Sequence, residues 1–156
     1  MFQRIQTLFL AITLLGMAVM LFLPYASLTD GAGAYLCFYP FKVEMEPADI
    51  NAFIGAETSR IPAMILGIGM AACVGALASF KKRKLQERLV FYVFTSNILY
   101  LVAGFIVMIK TAPGVQGHWI GAWGGLPAIL HLILLVYAVR GIRKDEALMK
   151  SYDRLR

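Results

Sequence analysis

Four long apolar stretches divide the chain. A loop of 35 residues separates the first two, and segments of 8 and 9 residues separate the others. None of the four contains Asp, Glu, Lys or Arg, and each has the roughly 20 residues that a helix needs to cross the hydrocarbon core of a membrane. Because backbone groups in lipid must be satisfied within the element, the pattern predicts helices rather than open strands. The predicted spans are 5–25, 61–80, 89–109 and 119–139.

The predicted fold is an all-α membrane protein in which residues 1–156 form a single four-helix transmembrane domain. Two antiparallel hairpins are expected, because sequential helices with short connections are usually neighbours. The tail at 140–156 is predicted to continue as a cytoplasmic C-terminal helix, since Glu146 and Lys150 have the spacing of a stabilising pair on one helix face.

The loop at 26–60 is expected to be external and partly ordered. At 35–45 apolar residues recur at every second position, which predicts a half-buried strand that Pro40 confines to an edge or breaks. Glu46 and Pro47 then predict a short helix that runs to about Phe53. Such a loop is expected to cap the bundle, and a strand edge there is an alternative surface for a partner strand.

The composition supports a membrane class. Of the 156 residues 60% are hydrophobic and 15% are charged, and the mean hydropathy is +0.71, which is too apolar for an ordinary soluble domain. A net charge of +6 would suggest an anionic partner in a soluble protein, but here the cations stand beside the apolar stretches. Cys37 and Cys73 form neither a disulfide framework nor a metal-binding spacing.

Lys and Arg are distributed very unequally between the two sides of the predicted bundle. If the N-terminus is cytoplasmic, twelve of the 15 cations lie on that side, and only Lys42, Arg60 and Lys110 lie on the other. The positive-inside rule then predicts that both termini and the turn between the second and third spans are cytoplasmic.

That turn carries five cations in eight residues. The cations determine topology, and they are also expected to attract anionic lipid headgroups, at about 1 kcal/mol per cation near the surface. A third interpretation is a docking surface for an acidic cytoplasmic protein or for ribosomal RNA. The predicted cytoplasmic interaction residues of the turn and the tail are Lys81, Lys82, Arg83, Lys84, Arg88, Arg143, Lys144 and Arg154.

The second span has a small residue at every fourth position, which predicts a helix-packing stripe because small residues let membrane helices approach closely. Steps of four residues advance about 40° beyond a full turn, so the stripe winds around the helix and favours a crossed contact. The stripe consists of Ala63, Gly67, Ala71, Gly75 and Ser79.

A few polar residues interrupt the spans at one common depth. Asn97 and His131, with Thr13 and Cys73, each lie seven or eight residues from the predicted cytoplasmic end of a span, or about 12 Å deep at 1.5 Å per residue. A metal, quinone or proton site is one interpretation. The favoured one is a buried polar layer in which Asn97 and His131 are neighbours and hydrogen-bond across a helix interface.

The sequence has none of the usual signatures of an enzyme. It contains no Gly-rich phosphate loop, no HExxH, no CxxC and no Ser/His/Asp set within the spans. The prediction is a protein that is not an enzyme, with no catalytic, cofactor-binding or metal-binding residues and no cofactor. A transporter is disfavoured because no span contains an ionisable Asp, Glu, Lys or Arg to bind an ion or couple protons.

Three segments carry a family resemblance, namely MFQRIQT at 1–7, FKKRKLQER at 80–88 and RKDEALMKSYDRLR at 143–156. Together, in this order, they resemble an uncharacterised family of small four-span inner-membrane proteins from Bacteroidota. The resemblance implies a multi-pass protein of the bacterial inner membrane, and it supplies no substrate, cofactor or catalytic residue.

The favoured functional hypothesis is a non-enzymatic accessory or scaffold subunit of an inner-membrane complex. Protein export or insertion machinery is one such complex with which it could associate. Its expected partner is a larger integral-membrane protein, and a homo-oligomer is a further possibility. The alternative hypothesis is a small channel or transporter subunit.

Overall fold

The computed structural model describes residues 2–29, 35–46, 56–79, 82–111, 118–121 and 125–154. Within these residues the chain is mostly helical, with a small antiparallel sheet at one end of the helices. The elements in chain order are α1 Phe2–Met20, β1 Ala26–Thr29, β2 Tyr35–Phe38, β3 Val43–Glu46, α2 Ala56–Ala78, α3 Arg83–Thr111, β4 His118–Gly121 and α4 Gly125–Arg154.

The four helices pack around one apolar core. Helix α1 packs against α2 and α4, and α3 packs against the same two helices. The interior is filled by side chains with no exposed surface, such as Leu10 of α1, Leu66 of α2 and Val93 of α3. Large apolar side chains also cover the outside, where a soluble protein would be polar; Leu15, Ile68 and Phe105 are each more than half exposed.

Three helices are long and apolar enough to cross a membrane, over Arg60–Ala78, Arg83–Lys110 and Gly125–Met149. The apolar part of α1 is shorter, at Gln6–Met20. This set of helices, with its apolar exterior, is consistent with a multi-pass membrane protein.

The predicted end of the first span is wrong. Helix α1 ends at Met20 instead of continuing to residue 25. Pro24 explains the early end, because a proline cannot donate to the helix ladder and it also disfavours helical geometry at the residue before it. The backbone amide of Tyr25 instead donates to the carbonyl oxygen of Phe38 at 2.8 Å, so the chain has already turned into the sheet.

An entirely α-helical fold is also corrected by the structure. The four strands form one antiparallel sheet in the order β3-β2-β1-β4. The alternating pattern at 35–45 corresponds to two strands, since the segment folds back between Phe38 and Val43. There the amide of Tyr39 donates to the carbonyl of Lys42 at 2.8 Å, and Pro40 lies within this turn.

The fourth predicted span begins too early, because residues 118–121 form β4 and α4 starts only at Gly125. Strand β4 pairs with β1, which is far away in the sequence, and so forms one edge of the sheet at the end of the bundle. Pro127 therefore lies in the first turn of α4, where the missing amide costs no intrahelical hydrogen bond. The short helix predicted after Glu46 lies outside the described residues.

The sheet contacts the helices through aromatic side chains. The Tyr25 ring lies 5.9 Å from the Phe38 ring and 6.3 Å, edge to face, from the Tyr100 ring of α3. Tyr25 also covers Gly104, one turn further along α3, at 3.4 Å from where a Cβ atom would lie. These rings anchor the sheet on α3, because aromatic pairs of this geometry add to the stabilisation from burial alone.

Candidate functional site

Helices α1 and α4 lie close together along their seam, where side chains of one helix pack directly over glycines of the other. The imidazole of His131 lies directly over Gly16, so that a Cβ atom on Gly16 would collide with the ring. Gln6 covers Gly141 in the same way, at 2.8 Å from the position of a Cβ atom. Each helix thus provides one glycine and one polar side chain, and the two contacts lie ten residues, or about 15 Å, apart.

A buried polar pair extends this seam by one turn. Nε2 of Gln6 donates to Oδ2 of Asp145 at 3.1 Å, and both residues are almost fully buried. A buried carboxylate needs such a donor because an unpaired one is strongly destabilising. The pair therefore ties the start of α1 to the C-terminal part of α4. Asp145 lies in the tail that was predicted as a cytoplasmic helix, and no local pattern identifies its partner 139 residues away.

The four residues of the predicted polar layer are all buried, at no more than 3% exposure. Thr13 donates to the carbonyl of Phe9 in its own helix, and Cys73 of α2 points its thiol at the carbonyl of Leu10 in α1, at 3.4 Å. Nδ2 of Asn97 donates to its own helix as well. Three of the four side chains of the polar layer therefore donate to backbone carbonyl oxygens.

The predicted hydrogen bond between Asn97 and His131 is not formed. Oδ1 of Asn97 and Nδ1 of His131 have no hydrogen-bond partner in the described structure. The physical reason is that His131 is committed to α1, where its ring fills the space over Gly16, while Asn97 bonds to Val93 one turn back on α3.

Two tyrosine hydroxyls share this lack of partners. The hydroxyls of Tyr25 and Tyr100 are buried without a hydrogen bond inside the described part of the chain. Tyr100 lies one turn from Asn97 on α3, so these groups form a polar region between the sheet and the middle of the bundle. Buried polar atoms of this kind are often satisfied by ordered water.

The small-residue stripe of α2 is divided between the inside and the outside. Ala63 is buried, Gly75 lies against Leu89 of α3, and Ser79 is half-buried. Gly67 and Ala71 are exposed, and a Cβ atom on Gly67 would meet no atom within 4 Å. Among the described residues the stripe therefore packs within the chain over only part of its length, and helix packing at Gly67 and Ala71 stays a prediction.

Gly69, which is not part of the stripe, provides the close approach instead. A Cβ atom there would lie 2.5 Å from Oγ of Ser96 and 2.6 Å from the methyl group of Met17. The Ser96 hydroxyl donates to the carbonyl of Ile65 at 2.6 Å, which joins α3 to α2 at this depth. The position was missed because a single glycine among several has no distinguishing pattern.

A groove of about 440 Å³ runs beside this contact, on the outer side of α2 and α3. Its walls are mainly apolar, and Ile68 connects it to the exposed face of α2 that contains Gly67 and Ala71. The lining residues are Ile65, Ile68, Ala72, Tyr92, Thr95, Ser96 and Leu99. At the depth of a membrane such a groove is complementary to apolar chains or helices rather than to water-soluble ligands.

The opposite end of the bundle from the sheet is basic. Helices α2 and α3 are joined by a tight turn in which the Lys82 amide donates to the Ser79 carbonyl at 2.9 Å. Arg143 of α4 donates from Nε to a carboxylate oxygen of Glu87 on α3 at 2.7 Å, which brings the turn and the tail together. Arg83 is half-buried and its Nη1 has no partner among the described residues.

The other predicted interaction residues remain on the surface. Lys82, Lys84, Arg88 and Lys144 are exposed, whereas Lys81 and the side chain of Arg154 lie outside the described residues. A groove of about 350 Å³ separates α3 from α4 beside the Arg143–Glu87 pair. Arg88 stands at the rim of this groove.

The sheet end has a different electrostatic character. Its exposed Lys42 donates to Glu44, and this hydrogen bond, together with the charge of Glu44, raises the pKa of Lys42. The pair is locally neutral, in contrast to the excess of cations at the basic end.

The described residues offer little to a catalyst. They contain no group of three or more His, Cys, Asp or Glu side chains that could hold a metal ion. His131 is enclosed between α4 and α1, and its environment is that of a packed core residue. The arrangement is suited to helix association and to contact with lipid.

The family follows from a match over nearly the whole chain. Residues 2–155 match the model of a family described as Domain of unknown function (DUF4293). The chain belongs to this family. The resemblance inferred from the three polar segments is thereby confirmed as to an uncharacterised family, and no curated protein and no solved structure matches the chain.

Proposed function

We propose that this DUF4293 protein is a non-enzymatic accessory or scaffold subunit of a membrane protein complex. The observation that carries the proposal is the outward face of α2. There Gly67 and Ala71 stand four residues apart with open space over Gly67, and Met64, Ile68 and Val74 expose their apolar side chains around them.

This face has the composition that membrane helices use to associate. Two small residues at a spacing of four let a second helix approach the backbone, and the gain in packing is what stabilises association where lipid provides no hydrophobic drive. No described residue covers this face at Gly67, since α1 and α3 contact other sides of α2. The adjoining groove at Ile68 extends the surface towards α3. The proposed occupant is a transmembrane helix of a larger integral-membrane protein.

The proposed setting is the bacterial inner membrane, crossed four times by two antiparallel hairpins. The excess of Lys and Arg at the basic end supports cytoplasmic termini and an external sheet. In this orientation the α2–α3 turn and the C-terminal part of α4 face the cytoplasm, where they are available to a partner. An acidic protein or ribosomal RNA has the charge to bind there, which is the basis for the proposed association with export or insertion machinery.

The topology is tested by labelling single cysteines in intact cells after Cys37 and Cys73 are replaced. Lys84→Cys and Phe41→Cys are suitable reporters, because both positions are exposed. An impermeant reagent is expected to label Phe41→Cys only. Labelling of Lys84→Cys alone would invert the topology.

The scaffold role is tested by purifying the tagged protein in mild detergent and identifying stoichiometric partners by mass spectrometry. Gly67→Leu and Ala71→Leu are expected to reduce recovery of a larger membrane protein at least about tenfold, because a bulky side chain prevents the close helix contact. Val136→Phe is the control, since it adds as many carbon atoms as Gly67→Leu at an exposed position of the apolar part of α4. Recovery of the chain alone, or equal recovery by all three variants, would contradict the proposal.

A small channel or transporter subunit is the alternative function. It is favoured by the polar region in the interior, where the Tyr25 and Tyr100 hydroxyls, Asn97 Oδ1 and His131 Nδ1 lack partners among the described residues. Such a region could be hydrated. Recovery as a homo-oligomer without other proteins, together with ion or solute flux in reconstituted vesicles, would favour this alternative.

A further inference from the structure

The groove between α3 and α4 at the basic end has one charged rim and one apolar wall. Arg88, Arg143 and Glu87 provide the charges, whereas Phe91 and Val139 lie deeper along the two helices. Tyr92 completes the lining. The rim therefore lies where the charged turn gives way to apolar helix surface, which is the level of the headgroups for a membrane helix.

The ion pair in the rim leaves most of Arg143 available. Glu87 accepts a hydrogen bond from Nε of Arg143 at 2.7 Å, and this contact holds the guanidinium between the two helices. A guanidinium has five N–H donors, so the donors on the two Nη atoms can still bind an anion. The structure describes no hydrogen bond or ion pair for Arg88, which stands on the turn before Phe91.

We propose that this groove binds one anionic phospholipid. The phosphate is held by Arg143 and Arg88, which is the chemistry that guanidinium groups provide for phosphate oxygens. Two arginines and one glutamate leave a net charge of +1 at the rim. This charge complements a lipid whose net charge is −1, such as phosphatidylglycerol, rather than phosphatidylcholine, whose choline cation cancels the charge of its phosphate. The glycerol and an acyl chain follow the apolar wall towards Phe91 and Val139.

The charges and the wall together favour a lipid over the other anions. A free phosphate would use the rim alone and would leave the exposed Phe91 and Tyr92 uncovered, at 64% and 61% exposure. A lipid covers both parts of the groove. This inference goes beyond the proposed function and is independent of it, because a bound lipid requires neither a partner protein nor a particular orientation.

Native mass spectrometry of the full-length protein in detergent tests the site, with phosphatidylglycerol or phosphatidylcholine added at equal concentrations. Phosphatidylglycerol is expected to bind at least about fivefold more tightly. Arg88→Gln and Arg143→Gln are each expected to weaken its binding about fivefold, the factor that one cation contributes near an anionic surface. Arg140→Gln is the matched control, because it removes the same charge one turn from Arg143 but outside the groove.

The apolar wall is tested separately with Val139→Phe, which fills the groove and leaves every charge in place. It is also expected to weaken phosphatidylglycerol binding about fivefold, and inorganic phosphate at millimolar concentration is not expected to displace the lipid. Equal binding of the two lipids would overturn the proposal. So would equal losses in Arg140→Gln and the two groove variants, which would indicate diffuse attraction, or displacement by phosphate, which would indicate a free-anion site.

Discussion

Two glycine-containing surfaces of this bundle differ in how they are used. On α2, Gly67 and Ala71 belong to a regular stripe of small residues, yet both face outwards and no described residue covers Gly67. On the α1–α4 seam, Gly16 and Gly141 belong to no repeat, yet a polar side chain from the facing helix covers each of them. A small residue permits a close contact, but the side chain opposite determines whether the contact is made.

The difference has an energetic consequence. A glycine beneath a packed side chain cannot accept a larger residue without displacing its neighbour, because interiors are close-packed. A glycine that faces open space has no such restriction within the chain, and enlarging it affects only what binds from outside. The same substitution in the two surfaces therefore separates folding from association.

The largest effect is expected for Gly16→Leu. The added side chain takes the space of the His131 ring, and we expect the free energy of unfolding to fall by about 3 kcal/mol. Reversible unfolding in mixed detergent and SDS micelles measures the change. Combining Gly16→Leu with His131→Ala should recover part of the loss. An unchanged stability would show that α1 and α4 do not meet at this point.

A smaller effect is expected at the other end of the same seam. Gln6→Leu removes the donor to Asp145 and leaves a buried carboxylate without its partner, which should lower the free energy of unfolding by about 1–3 kcal/mol. The same unfolding assay applies. In a Gln6→Leu/Asp145→Leu double variant the cost should be less than the sum of the single variants, because both ends of the hydrogen bond are then apolar. Additive costs would contradict the pairing.

The smallest effect on folding is expected for Gly67→Leu. No atom lies near a Cβ atom at this position, so the free energy of unfolding should stay within about 1 kcal/mol of the parent, with any change in the stabilising direction because Leu favours helix more than Gly does. If Gly67→Leu keeps its stability but recovers less of the partner protein, the face of α2 serves association whereas the α1–α4 seam serves folding. A loss of stability comparable to that of Gly16→Leu would erase it.

Much of the helical framework follows from the sequence alone. The absence of charges over about 20 residues predicts helices that are apolar and long enough to cross a membrane, since lipid cannot solvate a charge or an open backbone. The cluster of cations at 81–88 marks the boundary between α2 and α3, although Arg83, Lys84 and Arg88 lie in the first turns of α3 itself. The alternation at 35–45 indicates β structure. These are local or statistical properties, which a single chain displays without reference to its neighbours.

The prediction failed where one segment depends on another. The alternating residues at 35–45 predicted a strand. Residues 118–121, in contrast, form a strand by pairing with β1, about 90 residues away, and this pairing separates them from the fourth helix. The early end of α1 was accessible in principle, because Pro24 is a known helix terminator. The predicted span nevertheless continued to Tyr25, because the composition is apolar up to that residue.

The candidate site was determined almost entirely by tertiary structure. The sequence predicted that Asn97 and His131 are buried, because polar side chains within apolar stretches are expected to face the interior of the bundle. Which atoms they meet depends on the rotation of each helix about its axis, and hydropathy does not specify this angle. The rotation places His131 over Gly16, Gln6 beside Asp145, and Gly67 on the outside. The sequence thus determined that this chain forms apolar helices with one basic end, and packing alone decided which of their faces meet and which remain open.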